Sequence, residues 1–431
     1  MTRALFATLL LAGCYPYTPP ALSPVTQPAP GGTALPAPAT IAEARTPVTI
    51  LISIDGFRPD YLDRGLSPNL SRLAAGGVRG AMRPSFPSKT FPNHWTLVTG
   101  LRPDRNGIVA NAMEDPARPG EVFTMASDDP FWWNQAEPIW VAAERAGIRT
   151  ATMFWPGSSV AWGGVRSPDW PNPITGGTRP SDWWPFGQAV SGDQRVAGAL
   201  DWLRRPAAIR PRLVTLYFDT VDTAGHQAGP DGGGTNAAIA DVDRTIGLLV
   251  AGLAALNQPA NLIVVADHGM AATSSERTIA LDTLVPKADY RVIDTGAFAS
   301  VVPAAGQERA VATALTRPHR GMTCWPKAAI PSRFHYGANP RVAPIFCLAD
   351  VGWMIGRTLP TKPATGGNHG YDNLAREMRA VFVANGPAFE PGKRIDDFDN
   401  VAIEPLLRDL IGLAPATDHD GTDRPFERVR R

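Results

Sequence analysis

Val48-Thr49-Ile50-Leu51-Ile52-Ser53-Ile54-Asp55 is an almost wholly apolar run that ends by delivering a carboxylate. A run of this length without polar alternation reads as a β-strand buried on both faces, the kind found in parallel sheets. Two further stretches repeat the plan. Leu213–Phe218 (LVTLYF) leads to Asp222 and His226, and Leu262–Ala266 (LIVVA) runs into Asp267 and His268. In open α/β sheets, ligands bind just beyond the carboxyl ends of the strands. With His369 from a glycine-rich loop, three carboxylates and three imidazoles suffice for two divalent cations with three protein ligands each.

The runs alternate with helical patterns, which predicts an α/β fold with a mostly parallel central sheet flanked by helices. Glu137–Ala146 reads as a helix stopped by Gly147, Arg149–Phe154 as the next strand and Ala380–Ala384 as a late one. Thr235–Leu256 is the clearest helix. Ile239, Val242, Ile246, Leu249, Leu253 and Leu256 share one face, and Thr235 is the expected N-cap after Gly232–Gly234. The pattern weakens between Met270 and Gly366, so residues 271–365 are expected to form a smaller lobe inserted in a 47–415 body. Residues 416–431 read as a C-terminal tail.

The 431 residues are 44% hydrophobic and 19% charged, with a formal net charge of +1. That balance suits a globular protein and argues against a general nucleic-acid binder, which needs a basic stripe to neutralise phosphates. The first 13 residues read as an export signal. Arg3 precedes the apolar Ala4–Ala12, and Leu11-Ala12-Gly13-Cys14 resembles the bacterial lipobox. The resemblance implies cleavage before Cys14 and a lipid on the new N-terminus; an ordinary signal peptide with an incidental cysteine is the alternative. Tyr15 after that cysteine points to the outer membrane, and 14–46, rich in Pro and Ala, reads as a tether. Cys324 and Cys347, the two cysteines left in the body, are expected to pair after export.

Three blocks carry the candidate chemistry. Asp222-Thr223-Ala224-Gly225-His226 sets a carboxylate and an imidazole four apart, with a glycine that permits a tight turn. Asp267-His268-Gly269 puts two ligand types side by side at a strand exit, and Gly366-Gly367-Asn368-His369-Gly370 offers one imidazole on a permissive loop. Each alone has a bland reading as a turn or surface residue. With Asp55, all six in sensible places do not. Mixed carboxylate and imidazole donors suit zinc, with manganese or iron compatible. Between Pro84 and His94 lie three hydroxyls, Ser85, Ser88 and Thr90. Any of them can serve as a nucleophile once its pKa is lowered, and spacing does not rank them.

The blocks Ile54-Asp55-Gly56-Phe57-Arg58, Ser88-Lys89-Thr90-Phe91-Pro92-Asn93-His94, Asp222-x-x-Gly225-His226, Ala266-Asp267-His268-Gly269-Met270 and Asn368-His369-Gly370-Tyr371-Asp372-Asn373 occur in this order. The set resembles the nucleotide pyrophosphatase/phosphodiesterases of the alkaline phosphatase superfamily, from about Pro47 to Leu413. The resemblance implies Thr90 as nucleophile on one zinc held by Asp55, Asp267 and His268. It implies a second zinc on Asp222, His226 and His369, and Asn111 as donor to a phosphoryl oxygen. Phe91 and Tyr217 match positions that line or sandwich a base, and Met125 an apolar wall. The family's further aromatic falls near Pro173, with Trp170 close by.

Monoesterases need extra positive charge at the phosphate. No lysine lies between Lys89 and Lys287, which favours diesters, although Arg166 or Arg179 can substitute. The expected reaction is hydrolysis of nucleotide diesters and pyrophosphates to nucleoside 5'-monophosphates. Cleavage of choline phospholipids or glycerophosphodiesters, or of monoesters, is the alternative on the same site. Trp132, Trp133, Trp183 and Trp184 would then line a lipid cleft rather than pack as core. The expected partners are a small phosphate ester and, through the N-terminal lipid, a membrane. A non-catalytic binding protein on this fold would have lost a ligand or the hydroxyl, and none is missing.

Overall fold

Val48–Ile54 is a strand buried along its whole length, and the main sheet is built outward from it. Its neighbours are Leu213–Phe218 on one side and Ala260–Val265 on the other, both parallel to it. Beyond Leu213–Phe218 come Thr150–Met153 and then Asp182–Trp184, again parallel. Beyond Ala260–Val265 comes Ala380–Asn385, the one reversed strand of the sheet, then Val78–Arg83, edged by Lys393–Arg394 and Phe398–Asp399. The chain is therefore α/β with a mostly parallel central sheet. The computed structural model describes residues 44–431. The signal at 1–13, the lipidation residue Cys14 and most of the 14–46 tether lie outside the described residues. Among the described residues, no helix is long and apolar enough to cross a membrane.

Helices cover both faces because the central strands are apolar on both. The long helix runs Gly233–Ala255 and buries Ile239, Val242, Ile246, Leu249 and Leu253. It starts before Thr235: Gly232 is the cap, and the Thr235 hydroxyl donates to the Gly229 carbonyl at 2.7 Å. Thr235 thus lies inside the first turn, and its hydroxyl donates back to a carbonyl instead of accepting a helix amide, so the N-cap expectation is corrected.

Residues between Met270 and Gly366 build a separate antiparallel sheet ordered Tyr290–Asp294, Phe298–Pro303, Ile345–Ala349, Met322–Pro326. It has its own apolar core, including Leu281, Val301, Leu315 and Ile345. Cys324 and Cys347 are directly opposed on the last two strands and form a disulfide. Residues after 416 are packed rather than free. Phe426 is fully buried against Phe382 and Phe398.

Candidate metal centre

The register of three strands explains the clustering. Ser53 is level with Val265, and Ile54 with Phe218, so adjacent parallel strands about 4.8 Å apart end together. Asp55 leaves the middle strand, Asp267 and His268 leave one neighbour, and the helix Thr220–Ala228 starts just after the other. Asp222 and His226 occupy one face of that helix, four residues apart. The tight turn expected at Gly225 is thus a helical turn; the i,i+4 spacing aligns the two side chains without any break. Their atoms Oδ2 and Nε2 lie 3.4 Å apart.

His369 arrives on a ribbon. Ala271–Ser274, directly after His268-Gly269-Met270, pairs antiparallel with Thr365–Asn368, so Ala271 faces Asn368 and His369 returns to the strand ends. The ribbon lies hard against the helix carrying His226. A Cβ on Gly366 would stand 2.4 Å from the His226 carbonyl oxygen, and one on Gly367 2.6 Å from that of Gly225. Only glycine allows that approach.

Each imidazole is oriented by a backbone carbonyl. Nδ1 of His226 bonds Gly367 O at 2.8 Å, Nδ1 of His369 bonds Ser88 O at 2.9 Å and Nδ1 of His268 bonds Gly269 O at 2.9 Å. With Nδ1 the donor in each, the three Nε2 atoms are the ones a metal would take. These face carboxylates: His268 Nε2 is 2.9 Å from Asp267 Oδ2 and 3.4 Å from Asp55 Oδ1, and His369 Nε2 is 3.6 Å from Asp222 Oδ1. The His268 and His369 rings stack with centroids 3.5 Å apart, so the two donor groups adjoin. His94 also sits near Asp267, but both its nitrogens are engaged, with Ser53 Oγ and Thr90 O, and it backs the cluster rather than joining it.

The electrostatics favour a bound cation. Burial, then repulsion from Asp267 and Asp222, pushes the Asp55 carboxyl well above its ordinary range, and burial with Asp222 does the same to Asp267. For Asp222, burial is outweighed by the hydrogen bond and charge of His226, which hold it low. Burial keeps His268 and His369 neutral, the form a metal binds. Asp55 Oδ1, Asp222 Oδ1 and Asp267 Oδ2 are buried without a hydrogen-bond partner. Three orphaned carboxylate oxygens in one cluster cost too much to leave bare. Trios of donor atoms within 4.8 Å of one another include Asp222, His226 and His369, and Asp55, Asp222 and His268. The clustered carboxylates and imidazoles fit bound divalent metal.

The geometry ranks the three hydroxyls. Ser85 Oγ donates to Asn400 and Ser88 Oγ to the Tyr371 carbonyl. Thr90, first residue of the helix Thr90–Thr99, points its Oγ1 to within 3.3 Å of His268 Nε2. A helix N-terminus also favours an anion. Asn111 accepts the Phe91 amide on Oδ1 at 3.0 Å, which commits the acceptor end of its side chain and leaves the donor end for a ligand.

The sequence-predicted apolar walls fare unevenly. Phe91 is half-buried beside Thr90, backed by Phe123 and Trp133. Tyr217 is buried and its hydroxyl donates to Asp55 Oδ2 at 2.7 Å, so it orients a candidate ligand instead of presenting a face. Met125 and Trp170 are 59% and 89% exposed, and no hydrogen bond or ring contact ties either to the cluster. Phe186 was missed. It is 54% exposed and its ring stands 5.8 Å from that of Tyr217, which brings an aromatic edge to the Asp55 side. The signal was the dense Trp183-Trp184-Pro185-Phe186 run that ends the strand Asp182–Trp184. Trp132 and Trp133 are core, whereas Trp183 and Trp184 are partly exposed. Arg166 is paired with Asp128 and Asp129, and Arg179 with the Ser159 carbonyl, so both are committed away from a phosphate.

Comparison with known proteins places this geometry. Residues 49–372 match the family described as type I phosphodiesterase / nucleotide pyrophosphatase. An uncharacterised pyrophosphatase/phosphodiesterase of Schizosaccharomyces pombe is 38% identical over 401 residues, covering 86% of this chain and 78% of the relative. A bis(5'-adenosyl)-triphosphatase of Xenopus laevis is 36% identical over 372 residues, covering 85% and 78%. Among solved structures, murine ectonucleotide pyrophosphatase/phosphodiesterase 5, an inactive threonine-to-alanine variant in complex with AMP, superposes with a TM-score of 0.83 at 34% identity, covering 90% of this chain and all of that one.

Proposed function

Because the chain belongs to the type I phosphodiesterase / nucleotide pyrophosphatase family of the alkaline phosphatase superfamily, we propose that it is a two-zinc hydrolase of nucleotide phosphodiesters and pyrophosphates. It releases nucleoside 5'-monophosphates through a phosphothreonine on Thr90. The observation that carries the reading is the set of three orphaned carboxylate oxygens and three imidazole Nε2 atoms gathered beside the Thr90 hydroxyl. Asp222, His226 and His369 would hold one ion, and Asp55, Asp267 and His268 the other. When bound, such a pair neutralises phosphoryl charge and lowers the pKa of a hydroxyl and a water.

The chain's own residues then divide the work. Thr90 Oγ attacks phosphorus in line, and the bond to the departing alcohol or phosphate breaks as the bond to Thr90 forms. Asn111 donates to a non-bridging oxygen, and the N-terminus of Thr90–Thr99 adds its dipole. Water next attacks the phosphothreonine, freeing the nucleotide and restoring the hydroxyl. Phe91 offers a stacking face for a base, with Phe186 a second aromatic surface on the Asp55 side. The withdrawal of Arg166 and Arg179 into other pairs supports a diester over a monoester. The relatives' names and the AMP complex support a nucleotide.

The Cys324–Cys347 disulfide supports an oxidising compartment. With the leader and lipobox-like stretch, it favours export and lipid anchoring at Cys14, to be checked by the mass of the N-terminal peptide. The decisive functional test compares turnover of a nitrophenyl ester of a nucleotide with that of a phosphocholine ester, using enzyme of measured zinc content. Faster cleavage of the nucleotide ester with two ions per chain is expected. Faster phosphocholine cleavage would replace the substrate, and fewer than two ions in folded protein would remove the mechanism.

A further inference from the structure

Asn111 and Phe91 face the substrate, yet neither the loop holding Asn111 nor the short helix behind Phe91 is part of the main sheet. Residues 107–112 form no helix or strand. Such a loop presents an amide reproducibly only if something outside it fixes the backbone. The structure shows what does. Segment Tyr336–Arg341 of the inserted lobe grips the loop and its flanks at four points. The carboxylate of Asp104 accepts the amides of Gly337, Ala338 and Asn339. Tyr336 Oη donates to the Val109 carbonyl at 3.0 Å, and Arg341 Nη1 to the Gly107 carbonyl at 2.8 Å. Arg341 Nε pairs with Asp115 at 2.7 Å.

The same guanidinium reaches the second wall. Nη1 also donates to Trp132 O at 2.6 Å and Nη2 to Phe131 O at 3.1 Å. These carbonyls belong to the helix Pro130–Trp133, whose Trp133 ring backs Phe91 with centroids 5.9 Å apart. Arg341 is only 3% exposed and touches none of the candidate metal ligands. One buried cation therefore ties the Asn111 loop to the support of Phe91 across more than two hundred residues of sequence.

We propose that Arg341, with Tyr336, is a positioning device that sets the Asn111 amide and the Phe91 ring against Thr90, so that the inserted lobe controls how the substrate's phosphoryl and base are held. The inference rests on the roles given to Asn111 and Phe91 above. It is tested by a double-mutant cycle on the zinc-loaded full chain, read as kcat/KM for a nitrophenyl nucleotide ester with metal content measured in parallel. Asn111→Ala is expected to lose about 100-fold, and Arg341→Met about 10-fold or more, with two ions retained. In the Asn111→Ala background, Arg341→Met should cost no more than about 3-fold, the part that acts through Phe91, because the part that acts through Asn111 is already lost.

Multiplicative losses, an Arg341→Met enzyme as active as the parent, or loss of an ion would overturn the proposal. If Arg341→Met does not accumulate as folded protein, Tyr336→Phe decides, since it removes one hydrogen bond and no volume. A drop of about 3-fold that vanishes in the Asn111→Ala background supports the clamp, and a drop of the same size in both backgrounds sinks it. The two layers stay separable. Full activity of Asn111→Ala itself would remove the role given to Asn111, whereas an impaired Asn111→Ala with additive Arg341→Met removes only the clamp.

Discussion

The metal cradle and the substrate rim are built in opposite ways. Every candidate ligand in the cradle leaves a strand end, a helix that follows one, or a ribbon that grows from one, and each imidazole is fixed by a backbone carbonyl beside the strand ends, adjacent in sequence for His268 and remote for His226 and His369. The rim is assembled from loops and the inserted lobe, and its groups are set by contacts such as Arg341 to Gly107 that span the chain. The cradle is thus a property of the sheet, and the rim a property of what has been hung on it. Changes in the rim should alter affinity and specificity while the ions stay. Changes in the cradle should cost ions and stability together.

Metal removal is the largest expected effect, since it strips activity and stability at once. The sign follows from Asp55 and Asp267, whose carboxyls are raised by burial and then by mutual repulsion with Asp222. In metal-free protein the folded state binds their protons more tightly than the unfolded chain. Their contribution is complete below the ordinary value of 3.8 and is lost as pH rises through the raised folded values. Zinc substitutes for those protons, so the gain in melting temperature on adding zinc should be larger at pH 8 than at pH 5. A gain that is flat or reversed between the two would break the contrast at its root.

Thr90→Ala isolates chemistry from structure. Activity should fall by about 1,000-fold or more, with two ions retained and melting changed little, because the hydroxyl makes one 3.3 Å contact and leaves no cavity. An enzyme of this kind that lost an ion would assign Thr90 to holding the cradle rather than to working in it.

The same contrast explains what could be read without coordinates. Asp55, Asp267 and His268 were legible because an apolar strand announces its own carboxyl end. Asp222 and His226 were found, but their helix was read as a turn, since Gly225 looks like a turn residue until the packing of Gly366 and Gly367 against that helix is seen. Thr235 failed as a cap because the helix already begins at Gly233, which leaves its hydroxyl within the first turn, bonded to the Gly229 carbonyl six residues back. Rim residues were the least legible. Trp170 and Met125 have the right chemistry and are exposed, Phe186 was signalled only by the aromatic run around it, and Arg341 is placed by long-range bonds that no local pattern encodes.

Replacing Phe91 or Phe186 by Ala tests whether the rim is independent. Stacking on an aromatic is worth about 1–3 kcal/mol per base, so KM for a nucleotide ester should rise roughly 10-fold while ion content is unchanged. A small diester without a base should be nearly indifferent to Phe186→Ala. An equal loss on both substrates would mean that Phe186 supports the cradle through Tyr217 instead.

Tyr217→Phe gives the smallest effect and the sharpest division, because the residue borders both regions. Read from sequence, Tyr217 belongs to the rim as a lining for the base. Its hydroxyl, however, is bound to Asp55 Oδ2 at 2.7 Å, which leaves Oδ1 of that carboxylate for a cation. Groups that orient a ligand from behind typically change metal affinity by 10–100-fold when removed. Zinc affinity should therefore fall about 10-fold. With zinc in excess, kcat should stay within about 3-fold of the parent and KM for the nucleotide should not move, as the orienting bond is then replaced by occupancy. A raised KM with unchanged zinc affinity would return Tyr217 to the rim and shift the boundary between the two regions by one residue.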